Sequence, residues 1–494
     1  MDAQGPRWLD LSVIVIYLAG ITWFGARFRS SQGTLKNYFL GGGAVPWWAI
    51  ALSIVSAETS TLTIIGTPPL AFQGNYWFLQ LVLGYLLARV VISLLFLPAY
   101  FRKEMYTAYE LMRLRFGERM RRVTALTFLL LRALAEGVRV FAVSIVISVI
   151  FGSGEMASII VILCLTLFYT YEGGLTAVIW TDVVQMVLYV VGAVVSLVVL
   201  FGEIPGGWSH VVATALPLGK MQVFDFNLAP PSIFFTRTYS FWAGLIGGCF
   251  LTTASHGTEQ LLVQRLLAAG SRGKSQLALL SSWFVIFIQF MLFLVVGTCL
   301  FVLYREQGIQ PPPVLDRLYP LYVWQRLPPG VAGLVMAAIL AAAMSNLSAA
   351  LNSLASTTVL DLWRSFAGET RVARVSEAGW IGRARQATLF WGIVLFAVAL
   401  LARQWGSVLQ AGLSIASIVY GSLLGVFLLG LLTTRVGESA ALIGMMAGLA
   451  AMLYVRFATP IAFTWYVVIG SSVTFFTGLA ASTLLKADKS AAKN

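Results

Sequence analysis

Residues 46–67, PWWAIALSIVSAETSTLTIIGT, are long and apolar enough to cross a bilayer, yet they do not read as one plain helix. A hydrocarbon core roughly 30 Å thick takes about 20 apolar residues to cross. Here the apolar run 49–55 gives way to Ser56, Glu58, Thr59, Ser60 and Thr61, and then resumes. Hydrocarbon tolerates such a cluster only where it faces protein, water or a ligand. A helix broken near the midplane frees carbonyls for a cation and aims a half-helix N-terminus at an anionic group, which is how secondary transporters build their sites. The plainer alternative is a hydroxyl-rich helix packed closely on its neighbours.

Working outward, the rest of the chain has the same character. Its 494 residues are 59% hydrophobic and 11% charged, with a mean hydropathy of +0.85. This is the composition of an all-α polytopic protein of the lipid bilayer, and no segment suits a sizeable water-soluble catalytic domain. Cys164, Cys249 and Cys299 lie in apolar runs without metal-ligand spacing, so neither a disulfide framework nor a zinc site is expected. The N-terminal MDAQGPRWLDLSVIV lacks a small-residue cleavage pattern; residues 9–28 read as a retained crossing helix, not a signal peptide.

Thirteen crossings are expected, near 9–28, 46–67, 76–100, 122–151, 155–171, 173–201, 236–265, 274–304, 330–364, 380–403, 408–433, 437–456 and 459–485. With the N-terminus outside, the inner segments carry 22 of the 33 basic residues and the outer ones 8, while Arg89, Arg132 and Arg139 fall within spans. The positive-inside rule then predicts N-out, C-in in the inner membrane of a cell. It also accounts for the net charge of +13: the basic residues sit in scattered loops without aromatic interleaving, which excludes a nucleic-acid partner. The outer connections 202–235 and 305–329 read as ordered loops or as covers for an outer vestibule.

Five crossings beyond 46–67 comes 236–265, which contains SFWAGLIGGCFLTTASHGTEQLLVQR, again apolar, then glycine-rich, then polar at its middle. An odd number of crossings between equivalent helices inverts their direction, so a five-plus-five inverted-repeat core is expected. The boundaries follow: 1–45 an extra helix and inner loop, 46–201 the first repeat, 202–235 an outer loop, 236–433 the second repeat, and 434–494 two further helices and a tail.

The string Glu172-Gly-Gly-Leu-Thr-Ala-Val-Ile-Trp-Thr-Asp182-Val-Val-Gln185 resembles the sodium/solute symporter family. So do Ser56-Ala-Glu58, Gly257-Thr-Glu-Gln260 followed by Val263-Gln-Arg265, and the run from Ala341 through Ser345, Ser348 and Asn352 to Ser353. The resemblance spans about residues 9–485. It implies a leucine-transporter-like core, sodium as the coupling ion, a small-molecule solute and alternating access. Solutes in the family range over sugars, sialic acids, amino acids, vitamins and monocarboxylates.

Sodium is a hard cation that prefers several oxygens. Ala342, Ser345 and Asn346 share one helical face, and Asn352 and Ser356 extend the polar stripe. By the resemblance, the sodium ligands fall on the carbonyls of Leu52 and Val55 at the break, the carbonyl of Ala342, and the side chains of Ser345 and Asn346. Asn346 departs from the family's usual Ser or Thr, which puts ion affinity and choice in question, and a Ser/Ala stripe that only permits close packing is the alternative. Asp182, with Ser348, marks a candidate second cation site; one hydroxyl of the family's version is replaced by Ala349. A proton or a salt bridge at Asp182 are the other readings.

For the solute, Arg139 is the informative residue. An arginine within a span costs about 2.5–3.5 kcal/mol on insertion scales, and its planar fork suits a carboxylate. It either reads an anionic solute or pairs internally with Glu136 or Glu58. Resemblance to the sialic-acid branch adds Ser56, Thr59 and Gln80 as solute contacts, while Thr252 and Ser255 are expected in the cavity. The galactose branch has an aromatic gate where Ser255 stands, so sugar selectivity does not transfer. His256 fits packing better than proton handling. The reading is a sodium-coupled importer of an anionic solute such as a sialic acid or monocarboxylate. A neutral-sugar symporter is the nearest alternative, and a transporter-like sensor the alternative of another class. With only His210 and His256 and no HExxH or HxxxD pattern, an enzyme is not expected. No motif sets an oligomeric state.

Overall fold

The computed structural model describes residues 7–27, 45–102, 105, 107–152, 154, 156–160, 163, 175–228, 230–366, 377–404 and 408–485, and of Gly25, Ala26, Pro231, Ser232, Ser345, Glu377, Ala378 and Ile381 the backbone alone. The expected crossing 155–171 lies largely outside these residues, as do Glu172, Gly173 and Gly174. The described chain is helical, with no strand among the described residues. Nine of its helices are long and apolar enough to span a membrane, and one bent pair makes a tenth. That is short of the thirteen expected: the first helix has a shorter apolar stretch, Trp8–Phe24, and the 236–265 crossing is cut by its polar break.

The helices are α1 Trp8–Ala26, α2 Trp47–Glu58, α3 Thr61–Gln73, α4 Phe78–Val91, α5 Ala108–Arg115, α6 Glu118–Phe151, α7 Leu175–Glu203, α8 Gly207–Ala215, α9 Gly248–Thr258, α10 Gln260–Ala268, α11 Arg272–Glu306, α12 Leu318–Arg326, α13 Val331–Thr357, α14 Glu377–Ala402, α15 Val408–Leu432, α16 Glu438–Ala458 and α17 Tyr466–Leu484. One-turn π segments run into or out of three of them: Ile92–Phe96 after α4, Ala243–Gly247 before α9 and Thr358–Trp363 after α13.

Small side chains decide which helix sits at the centre. The span Val331–Phe366, rich in Ala and Ser, has 94% of its apolar window buried, against 22% for Gly382–Ala402 at the periphery. Small residues let backbones approach, and α13 is accordingly packed by α1, α6, α7 and α14. Asp10 of α1 closes this helix's N-terminus by accepting from the backbone N–H groups of Gly330 and Gly333 at 2.8 and 2.6 Å. Large apolar side chains such as Leu94, Val198, Phe284, Ile393 and Phe476 remain exposed on the outer faces, where lipid rather than water is their natural solvent.

The bent pair is α2 and α3, which meet at 63°. This corrects the expected position of the break. Leu52 and Val55 lie inside α2, and the backbone departs from helix only at Thr59 (φ −86°, ψ 89°) and Ser60 (φ −90°, ψ 175°). Ser53 and Ser56 do not interrupt the helix because a short hydroxyl can bond sideways without disturbing its own backbone. The Val55 carbonyl closes the last turn by accepting from Thr59 N–H at 2.8 Å. The second break is at Glu259, extended at φ −85°, ψ 128° between α9 and α10.

Both long connections are built. In 202–235, α8 packs on α7 and α11, Tyr76 N–H donates to the Gln222 carbonyl at 3.1 Å, and Lys220 donates to the Phe72 carbonyl at 2.6 Å. In 305–329, α12 packs against α3, α6 and α13.

Candidate functional site

The two breaks face one cavity of about 120 Å³. Ser60 and Thr63 enter it from the first break, Thr252, Ser255 and His256 from α9, Glu259 from the second break, Arg132 and Arg139 from α6, and Tyr420 from α15. Phe78, Leu251, Phe290 and Leu413 supply apolar wall. A few convergent polar groups in an otherwise apolar hollow is the form of a small-molecule site.

Its charges are arranged in alternation. Arg139 pairs with Glu136 at 3.0 Å, Glu136 also with Arg132 at 3.0 Å, and Arg132 with Glu259 at 2.7 Å. Tyr420 then donates to Glu259 at 2.5 Å. Arg132, Glu136 and Glu259 are nearly inaccessible, whereas the Arg139 side chain is 24% exposed. Arg139 is thus the positive end of the row, sharing its acid with a second arginine, and its Nε has no hydrogen-bond partner. A second group lines the same cavity, where Glu58 pairs with Arg89 at 2.6 Å and lies 3.3 Å from His256 Nε2. Of the two internal pairings considered for Arg139, Glu136 is the one formed, because Glu58 is held by Arg89.

Arg139, Thr252 and Ser255 therefore reach the cavity, and three other expected solute residues do not line it. Gln80 is buried and fully engaged: its amide donates to the Trp77 and Tyr239 carbonyls at 3.1 and 2.7 Å and accepts from Asp225 N–H at 2.9 Å. It fastens α4 to the outer loop. Thr59 turns its hydroxyl to Gln289 of α11, which donates at 2.6 Å. Ser56 is buried between α2 and α13, its carbonyl accepting from Asn346 Nδ2 at 3.5 Å. Sequence reasoning placed Arg132 within a span without giving it a role, and it did not anticipate Glu259 or Tyr420 in the wall. The spacing of Arg132, Glu136 and Arg139, one helical face over two turns, carried the signal for the first.

Comparison with known proteins decides the family. The sodium:solute symporter family model matches residues 38–448. The chain belongs to the sodium:solute symporter family. The sodium/sialic acid symporter SiaT of Proteus mirabilis (strain HI4320) is 27% identical over 97% of this chain and 95% of its own length. The sodium-coupled monocarboxylate transporter 1 of Mus musculus is 29% identical over 90% of this chain and 71% of its own. Among solved structures, a substrate-bound, outward-open sodium-coupled sialic acid symporter superposes with a TM-score of 0.84 at 25% identity, covering 97% of this chain and 98% of that one. A nucleobase-cation-symport-1 family transporter in a closed conformation, at 0.57 and 13% identity over 89% and 92%, shares the fold.

In this symporter one expected ion ligand, Asn346 of α13, is tied to α2 by a hydrogen bond. Asn346, one helical turn from Ala342, reaches the Ser56 carbonyl, and it borders a small hollow with Ser60, Thr61, Glu136 and Arg139. Val55 precedes Ser56 directly, and Leu52 lies one turn further back in α2. Asp182, on α7, is engaged by protein: Arg265 of α10 pairs with it at 3.0 Å, Ser53 donates to it at 2.5 Å, and Arg265 also donates to Ser53 at 2.9 Å. Both members of the pair are buried, so the salt-bridge reading of Asp182 is the one formed here. Ser348 is buried on α13.

Proposed function

We propose that this chain is a sodium-coupled importer of a small organic anion, operating by alternating access in the inner membrane with its N-terminus outside and its C-terminus in the cytoplasm. The observation that carries the anion is Arg139, the partly exposed positive end of the charged row in the cavity wall, which shares its acid Glu136 with Arg132. A carboxylate satisfies a guanidinium bidentately, which neither water nor a hydroxyl does. Thr252 and Ser255 bond the remainder of the solute. A comparably sized engineered cavity of about 150 Å³ accepts benzene, so 120 Å³ favours a short monocarboxylate over a nine-carbon sialic acid, both being solutes named for the relatives. A neutral solute is the second reading, because Glu136 already balances part of the charge of Arg139.

Sodium between α2 and α13, on the carbonyls of Leu52, Val55 and Ala342 and the side chains of Ser345 and Asn346, would tie the bent pair to the central helix and complete the solute site. Its loss to the cytoplasm loosens that tie. The coupling is reciprocal, so solute tightens sodium binding by the factor with which sodium tightens solute binding.

Uptake into proteoliposomes under an inward sodium gradient tests this, with short monocarboxylates, a sialic acid and a hexose compared. Arg139→Lys is expected to raise the KM for a carboxylate about tenfold or more, since a point charge replaces a fork, with little change for a neutral solute. Ser345→Ala is expected to weaken sodium dependence. Hexose uptake untouched by Arg139→Lys, with no carboxylate carried, overturns the anion reading.

A further inference from the structure

His256 lies on α9 two residues before its end, in the cavity wall and 3% exposed. Its two ring nitrogens face different partners. Nδ1 is 2.8 Å from Ser255 Oγ, a hydroxyl that also reaches the Thr252 carbonyl at 3.3 Å. Nε2 faces the Glu58 carboxylate at 3.3 Å, yet has no hydrogen bond. A bare ring nitrogen against a carboxylate is two lone pairs in opposition, so a proton belongs between them. With Ser255 donating to Nδ1 the ring is neutral and carries its one proton on Nε2; with Ser255 turned to the Thr252 carbonyl, Nδ1 takes a second proton and the ring becomes the imidazolium. Glu58 ends the first bent half-helix and His256 sits at the end of α9, so the Nε2 proton joins the two breaks in the wall of the solute cavity.

The surroundings make the proton's gain and loss consequential. Glu58 faces the ring from α2, with Arg89 behind it and Tyr85 beside it on α4. Arg132 and Arg139 of α6, Glu259 of the second break and Tyr420 of α15 complete the charged wall. Tyr100 donates to the next carbonyl along the chain, that of Gly257, at 2.5 Å. The π segments Ile92–Phe96 and Ala243–Gly247 contain no titratable residue, and α17 places none in the cavity wall. Within the cavity group, Glu58, Glu136 and Glu259 match Arg89, Arg132 and Arg139, so a proton on His256 is an added positive charge in a balanced set.

We propose that His256 is a proton-binding site of the transport cycle: the ring takes a proton from the outer water as the solute anion enters and releases it to the cytoplasmic water as the solute leaves. The added charge sits in the same cavity wall as Arg139 and offsets the solute's carboxylate. This rests on the symporter reading above, and the measurements separate the two.

Proteoliposomes with a trapped pH-sensitive dye are given an inward sodium gradient and a strongly acidic monocarboxylate, so that diffusion of the neutral acid is negligible, at external pH from about 5.5 to about 8. Sodium-driven uptake is expected to rise about fivefold or more as the pH falls through that range, with solute-dependent acidification of the lumen. His256→Gln keeps a ring-sized polar side chain but no titration, and it is expected to flatten the pH profile and remove the acidification. The wild-type dye signal alone is decisive should the variant misfold: sodium-driven uptake without solute-dependent proton entry overturns the proposal and spares the symporter reading. Persistence of the acid stimulation and proton entry in folded His256→Gln also overturns it. Absence of sodium-driven uptake at every pH sinks both.

Discussion

Buried charges were legible as oddities in the sequence, but their partners were not. Asp182 stood out because an unpaired carboxylate within a span is expensive; that Arg265 meets it, 83 residues away, depends on how α10 folds back from the second break. Gln80 was expected at the solute by resemblance alone, and its amide here is engaged by three backbone partners. The Asp182–Arg265 pair gives a residue-level prediction. Removing one partner leaves an uncompensated buried charge, a loss of about 3–5 kcal/mol, while replacing both with neutral isosteres costs far less. Asp182→Asn is therefore expected to lower the thermal midpoint in detergent sharply, and the double variant Asp182→Asn with Arg265→Gln to recover most of it. A double variant no more stable than the single one refutes the pair as the reason for Asp182. Its sodium half-saturation, measured alongside, reports whether Asp182 also serves an ion.

Among the helices, periodicity and polarity found the two breaks to within a few residues. The exact turn was not legible because it is set by tertiary grips, such as Gln289 on Thr59, and not by the local hydroxyls. Close crossings were hidden for a similar reason: a glycine in a span looks like any other until its neighbour is known. A Cβ on Gly84 of α4 would lie 2.6 Å from the carbonyl oxygens of Gly244 and Leu245, whereas one on Gly202 meets nothing within 4 Å. Gly84→Leu is expected to abolish monodisperse folded protein, and Gly84→Ala to lower the thermal midpoint by several degrees, with Gly202→Ala within about a degree of the parent. The connections also carry a pH signature. Asp316, in the connection between α11 and α12, accepts from Val408 N–H at 3.1 Å at the start of α15. Burial pushes its carboxyl up to about 6, opposed by that hydrogen bond. Above pH 6 the folded state bears a buried charge that the unfolded chain, titrating near about 3.9, carries in water. Stability is thus expected to rise as the pH falls through 6 and to level off below about 4. Thermal unfolding in detergent across pH 4–8 checks this, with Asp316→Asn flattening that component.

For the molecule as a whole, the buried ion pairs determine what crosses the membrane electrically. Among the described residues, the pairs around the two breaks set Glu58, Glu136, Asp182 and Glu259 against Arg89, Arg132, Arg139 and Arg265, and Asp361 is likewise paired with Arg121. A balanced protein interior contributes no net charge when it rocks between its outward and inward forms, so the cargo sets the transported charge. One sodium with one monoanion is electroneutral and gains nothing from the membrane potential. A proton on His256 makes the cargo singly positive, and each charge moving through about 100 mV adds about 2.3 kcal/mol to the driving force. Current and labelled uptake measured on the same proteoliposomes are therefore expected to give about one positive charge per monoanion at external pH 5.5, falling toward zero at pH 8. In His256→Gln the ratio is expected to stay near zero throughout. A ratio of one that persists in His256→Gln assigns the extra charge to a second sodium, and the buried Asp182–Arg265 pair would then have to open during the cycle.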